Sequence, residues 1–364
     1  MIEALAAILG LIIITVILWD AFETIILPRR VNRRIRLTSM FYSSVWVPWS
    51  TFVRYLKKPK RREKSLSLFG PMSLLVLLGI WVVGLIVGYA LLMLAIDRRA
   101  GTDLSFWTHL YLSATTFFTL GYGDVVPTTP HGRFLAVVEA GNGFGLLAIV
   151  ISYLPILYQS FSSREASISL LDARAGSPSS AVELLRRHRA EDSFEDLNRL
   201  LSEWERWSAE LLESHLSYPV LCYFRSQHDN QSWLGALTTV LDTCALVMVG
   251  VEGAPVWQAR MTFAMARHAV VDIAQVFRTK PSRGVSCYSR LAGADLKRMR
   301  EILDQNGIHL SDGEEVERRL YELRSMYEPY VDALSEWLLM PLPPWILPKD
   351  AIDNWKTSAW GRIQ

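Results

Sequence analysis

Cysteine is scarce in this chain. Cys222, Cys244 and Cys287 are the only three, and none stands in a CxxC spacing or beside a histidine-rich run. That argues against a structural zinc. All three fall in the half placed below in the cytosol, where thiols stay reduced. There is no GxGxxG and no Walker sequence, so a nucleotide-binding module of alternating strands and helices is not expected. Period-two alternation of apolar and polar residues is rare, which leaves few strands. Serine, histidine and aspartate are too scattered to form a catalytic constellation, so no enzyme is read here.

What is abundant is apolar sequence. Of 364 residues, 51% are hydrophobic and 20% charged. Such a composition fits a membrane segment joined to a soluble one. The net charge of +2 is a sum over unlike regions and decides little. Three uncharged or nearly uncharged runs stand out: 2–27, 65–96 and 134–161. A helix needs about 20 apolar residues to cross the hydrocarbon core, so each is long enough. The first begins with the acidic Glu3 and leads into Pro28-Arg29-Arg30, the pattern of a retained anchor helix rather than a cleaved signal. The third has one ionisable residue, Glu139.

Orientation follows the basic residues of short loops. Between the first two runs lie Arg29, Arg30, Arg33, Arg34, Arg36, Arg54, Lys57, Lys58, Lys60, Arg61, Arg62 and Lys64. That stretch is expected in the cytoplasm, with the N-terminus outside and the C-terminal half inside. Arg98 and Arg99 fall outside against the rule, but they are two against twelve. Residues 37–53 carry Phe41, Tyr42, Trp46, Trp49 and Phe52 between the basic clusters, with Pro48 interrupting them. They read as an interfacial helix in contact with lipid headgroups, with a fourth span as the alternative.

Ser105 to Asp124 lies between the second and third runs. Thr102, Asp103 and Ser105 offer caps for a helix too short to cross the membrane. After it comes Thr119-Leu120-Gly121-Tyr122-Gly123-Asp124. Both flanking runs meet this segment on the outer side, so it must enter and leave by one face. Non-helical backbone at membrane depth is tolerated where it is buried in protein or lines a watery path. Gly121 and Gly123 permit the unusual dihedrals that turn every carbonyl to one side. The Thr119 hydroxyl adds an oxygen at the inner end, and a stack of such oxygens can replace the water around a cation.

This hexapeptide resembles the selectivity filter of potassium channels, with Leu120 where Val or Ile is commoner. The neighbours agree: Trp107 and Thr115-Thr116 precede it, and Pro127 and Gly132-Arg133 follow. The resemblance covers roughly 69–158, less than a third of the chain. It implies an all-α membrane protein with three transmembrane helices, a re-entrant pore helix and filter, and an all-helical cytoplasmic C-terminal domain. Four copies would form the pore, and K+ would be the permeant ion, held by Thr119, Leu120, Gly121, Tyr122 and Gly123. Asp124, Trp107, Thr115 and Thr116 would support the filter, with Tyr122 pointing outward to pack. No organic cofactor and no nucleic acid is implied. No run carries arginines at every third position, so a voltage-sensing helix is not expected.

Glu139, Asn142, Gly143 and Pro155 are candidates for gating or tuning. An intramembrane carboxylate is a functional candidate by default. Its plainer reading is a hydrogen bond to the back of the pore helix at Thr115 or Thr116, with Asn142 either its partner or a cavity residue. By resemblance Gly143 lies near an inner-helix hinge, while Gly141, Gly143 and Gly145 equally suit close packing of spans. Pro155 is expected to bend the third helix or set its inner end. Asp20 and Glu23 share a helix face and suit a salt bridge to the Arg29 region. His109 and His131 are placed near the outer mouth.

The expected domains are 1–28, 29–64, 65–161 and 162–364. In the last, residues 174–180 read as a linker, with Ser177 or Ser180 as a cap. Phe194, Leu197, Leu201, Trp204 and Leu211 keep helical spacing, as do Leu320, Leu323, Tyr327 and Leu334 after a possible cap at Ser311. Residues 234–251 are as apolar as a span, but Asp242, Thr238, Thr239 and Thr243 argue for a buried core helix. Trp204, Trp207, Trp233, Trp257, Trp337, Trp345, Trp355 and Trp360 are read as core or interface anchors.

Overall fold

The computed structural model describes residues 2–27, 37–101, 104–189, 194–228, 230–279, 281 and 290–348. The arginines from 29 to 36, Thr102, Asp103, Cys287, Trp355 and Trp360 lie outside the described residues. Among the described residues the fold is helical, with one isolated antiparallel bridge, Val251 to Leu310. Two compact units emerge, Met1–Gln159 and Ser160–Gln364.

In the first unit, α1 (Ile2–Ala21) ends in a wide turn at Phe22–Ile26. It is followed by α2 (Leu37–Arg54), α3 (Pro59–Arg99), α4 (Phe106–Phe117) and α5 (Pro130–Ala175), whose residues from Ser160 onward belong to the second unit. Helices α1, α3 and α5 are long and apolar enough to cross a membrane; so is one further helix in the second unit.

Small residues let α1 lie directly on α3. A Cβ on Gly10 would stand 2.6 Å from the Gly88 carbonyl oxygen, and one on Gly84 would meet the Ile17 side chain at 2.3 Å. The pairs run Gly10 to Gly88, Ile17 to Gly84 and Asp20 to Trp81, so the two helices are antiparallel. Gly84 and Gly88 form a small-xxx-small pair inside an apolar run, a pattern that brings helices into direct contact.

Asp20 is buried near the end of α1 and accepts hydrogen bonds from Trp81 Nε1 at 3.1 Å, Thr38 N at 3.2 Å and Thr38 Oγ1 at 2.6 Å. Glu23 accepts from Trp19 Nε1 at 2.7 Å. Neutral donors thus meet both carboxylates. The arginines expected to pair with them lie outside the described residues. Helix α2 continues through Pro48, and Trp46 stacks edge-on against Phe69 of α3, 4.7 Å between ring centres.

Helix α5 likewise runs through Pro155 without ending and stops at Ala175. Pro155 therefore does not set its inner end.

The second unit continues with α6 (Ala181–Arg187), α7 (Glu195–Ser217), a 3-10 turn at Pro219–Tyr223, α8 (Trp233–Gly250), α9 (Val256–Val276), α10 (Gly293–Gln305), α11 (Glu314–Ser325) and α12 (Glu328–Leu338). Ser180 caps α6 by accepting from Glu183 N at 3.2 Å. The apolar stripe of α7 is buried as its spacing predicts. Helix α8 is the further helix long enough to span, yet α6, α7, α9, α11 and α12 all pack on it and bury it nearly throughout.

Two expectations fail here. Ser311 caps no helix; its N–H and hydroxyl both donate to the Gly250 carbonyl, at 2.9 and 3.0 Å, beside the bridge. The stripe from Leu320 to Leu334 is split between α11 and α12, because Pro329 starts a new helix and disfavours helical backbone just before it. Among the tryptophans, Trp204, Trp207, Trp233 and Trp345 are core residues, but Trp257 is 71% exposed.

Candidate functional site

Helix α4 starts at Ser105, whose hydroxyl accepts from Thr108 N at 3.3 Å. It lasts 12 residues, too few to cross a bilayer, and its Leu112, Ser113, Thr115 and Phe117 are buried. At its end the chain turns back sharply. Leu120 N and Gly121 N both point at the Thr115 carbonyl, at 2.8 and 3.4 Å, and Thr119 N donates to the Thr116 carbonyl at 2.9 Å. Thr115 and Thr116 thus hold the following peptide through their backbone oxygens. The Thr115 hydroxyl is turned away, onto the Leu112 carbonyl at 3.0 Å.

The backbone from Thr119 to Gly123 alternates. φ is +56° at Thr119, +55° at Gly121 and +81° at Gly123, while Leu120 and Tyr122 keep ordinary negative values. In a β-strand successive peptides face opposite ways. Alternating hand rotates every second peptide, so that neighbouring carbonyls can share one side. Glycine takes positive φ freely, but a β-branched threonine does so at a cost of roughly 1–3 kcal/mol. Unusual dihedrals are expected at the glycines; Thr119 takes one as well, which the residue type does not announce.

The other expected residues fall as follows. Asp124 accepts from the Tyr111 hydroxyl at 2.9 Å, a partner on α4 that the sequence reading did not single out. Trp107 is 74% exposed in the single chain, its ring against Phe106. Tyr122 is 68% exposed in the single chain.

Glu139 is fully buried, and its partner on the back of α4 is Ser113, one half-turn before the expected Thr115 and Thr116. Asn142 bonds neither to Glu139 nor across open space; its amide meets the Tyr89 hydroxyl of α3. His109 is buried, 3.7 Å from Asp97 Oδ2 at the end of α3, whereas His131 is exposed at the start of α5.

Gly143 is a point of close backbone contact. A Cβ there would stand 2.1 Å from the Phe117 carbonyl oxygen and 2.9 Å from its carbon, so α5 lies directly on the end of α4. At Gly141 and Gly145 a Cβ would meet nothing within 4 Å. Gly143→Ala is therefore expected to force backbone apart, with an overpacking cost of about 1–3 kcal/mol. Thermal unfolding of the solubilised protein should show a clear drop for that variant and little change for Gly141→Ala or Gly145→Ala. Equal behaviour of all three would refute the contact.

Comparison with known proteins places the same stretch. Residues 74–160 match the family described as ion channel. The Voltage-gated potassium channel of Aeropyrum pernix is 27% identical over 157 residues, 43% of this chain and 48% of that protein. Two-pore potassium channel 5 of Arabidopsis thaliana is 28% identical over 126 residues, 33% of this chain and 30% of that protein. Uncharacterized membrane protein YdjJ of Bacillus subtilis is 20% identical over 193 residues, 52% of this chain and 56% of that protein. The chain thus spans about half the length of two of these relatives and less than a third of the other. No solved structure matches. It is the stretch from α3 through α4 to α5 that matches the ion-channel family, and two of the relatives similar to this chain are named as potassium channels.

Proposed function

We propose that four copies of this chain surround one pore and let potassium pass down its gradient across the cell membrane. The alternating backbone of Thr119 to Gly123 carries this reading, because it can offer a column of oxygens on one side of the peptide. Helices α1, α3 and α5 are the three spans. The N-terminus lies outside, α2 rests at the cytoplasmic interface against lipid, and the unit from Ser160 onward is cytoplasmic.

Thr119, Leu120, Gly121, Tyr122 and Gly123 hold the K+ ions, with Asp124 fixed through Tyr111. The aligned peptide dipoles of α4 leave about half a negative charge at its end, which favours a cation beyond it. A fourfold assembly also accounts for the exposed side chains. Tyr122 and Trp107 gain neighbours there, and Phe134, Val137, Phe144 and Ile151 of α5, each more than half exposed, face lipid, cavity or the next subunit.

The test is flux. Purified protein in potassium-loaded liposomes should release potassium well above the leak of empty vesicles, and sodium much less. Equal release of both ions would end the selectivity reading, and no release of either would end the channel reading.

A further inference from the structure

One buried hydroxyl stands between two oxygens behind the proposed filter. Ser113 Oγ of α4 lies 2.8 Å from the Ile86 carbonyl of α3 and is also hydrogen-bonded to Glu139 Oε1 of α5. Ser113 and Glu139 are both closed to solvent. A serine hydroxyl has one hydrogen to donate. The Ile86 carbonyl can only accept it, and an ionised carboxylate can also only accept. Both contacts are satisfied at once when the Glu139 side chain is itself a donor.

The second carboxyl oxygen points the same way. Glu139 Oε2 is buried with no hydrogen-bond partner among the described residues. An ionised group would leave charge bare there, which is far costlier than a neutral one. No lysine or arginine pairs with Glu139 among the described residues. The titratable neighbour on α3 is Tyr89, whose hydroxyl is engaged by Asn142. On α4, His109 lies one turn before Ser113 and is directed at Asp97.

Resting on the channel reading above, we propose that Glu139 carries a proton and acts, through Ser113, as a latch joining α5 to α4 and α3 behind the filter. Glu139 donates to Ser113, and Ser113 donates to Ile86. Ser113 stands two residues before Thr115, whose carbonyl holds Leu120 and Gly121. The latch is thus a positioning device for the ion-binding peptide. Loss of its proton sets two acceptors competing for one hydrogen, and the connection to α3 or to α5 opens.

The test uses the full-length protein in lipid. Infrared difference spectra between wild type and Glu139→Gln at neutral pH should show a protonated-carboxyl band in the wild type that the variant lacks. In flux measurements Glu139→Gln, which still donates, should keep the wild-type preference for potassium over sodium. Glu139→Ala and Ser113→Ala should lower it several-fold.

Absence of the band overturns the proposal, whatever the flux. A band with unchanged selectivity in all three variants overturns the positioning role. A band in a protein that passes no ions retires the channel reading and leaves the protonated latch standing.

Discussion

A Gly121→Asp subunit is expected to fold and assemble as the wild type does, and to pass no potassium. The folding half of this expectation comes from the single chain. A Cβ on Gly121 would meet nothing within 4 Å, and aspartate is among the residues that tolerate φ near +55°. The loss of flux comes from symmetry. In a fourfold pore the substitution introduces four carboxylates around the narrow path. Each adds bulk where an ion must pass bare, and full charges replace partial ones, so an ion that enters is held rather than handed on. Size-exclusion profiles should match the wild type, while release from loaded liposomes should fall to the leak of empty vesicles. Flux that persists in a correctly assembled variant would remove residues 119–123 from the conduction path.

How far the sequence carried depended on distance along the chain. The hexapeptide from Thr119 to Asp124, the cap at Ser105 and the stripe on α7 are local patterns, written within a few residues of one another. So is the Gly84-to-Gly88 pair, which was available but unused. The backbone hand at Thr119 was hidden, because no property of threonine announces a left-handed residue. It follows from the turn closed on the Thr115 carbonyl.

Buried polar partners were hidden for a different reason. Ser113 meets Glu139 across 26 residues, Asn142 meets Tyr89 across 53, and Arg164 donates to the Leu221 and Phe224 carbonyls across 57 and 60. Sequence shows that such a group needs a partner, not which one. Asp242 illustrates both halves. Its charge marked 234–251 as a buried core helix, the burial of α8 bears that out, and Arg290 and Tyr327 hold Asp242 inside the second unit.

That same cluster gives the second large effect. Arg290 donates to Asp242 at 2.6 and 3.2 Å and to Glu328 at 3.1 Å, and Arg324 reaches the same Glu328 oxygen at 3.1 Å. Tyr327 donates to Asp242 at 2.5 Å, and Trp345 lies under both guanidinium groups. Replacing Arg290 by methionine leaves two buried carboxylates short of a cation. Breaking a buried pair from one side typically costs about 3–5 kcal/mol, so Arg290→Met should lower the unfolding temperature of the second unit sharply.

Glu328 should respond in the opposite sense. Burial pushes its carboxyl up to about 7, and the like charge of Asp242 adds to this, against the pull of Arg324 and Arg290. A folded value above the unfolded one means that folding binds a proton. The contribution is complete below the unfolded value of 4.5 and is lost as pH rises through about 7. His215 and His188 work against this trend. Burial holds both below the ordinary histidine range, so their contributions are lost as pH falls. Comparing wild type with Glu328→Gln cancels them. The two proteins should unfold alike near pH 5, and near pH 8 the glutamine variant should be the more stable, by on the order of 3 kcal/mol. Denaturant unfolding followed at both pH values decides the point, and a variant less stable than wild type at pH 8 would show that the two arginines outweigh burial.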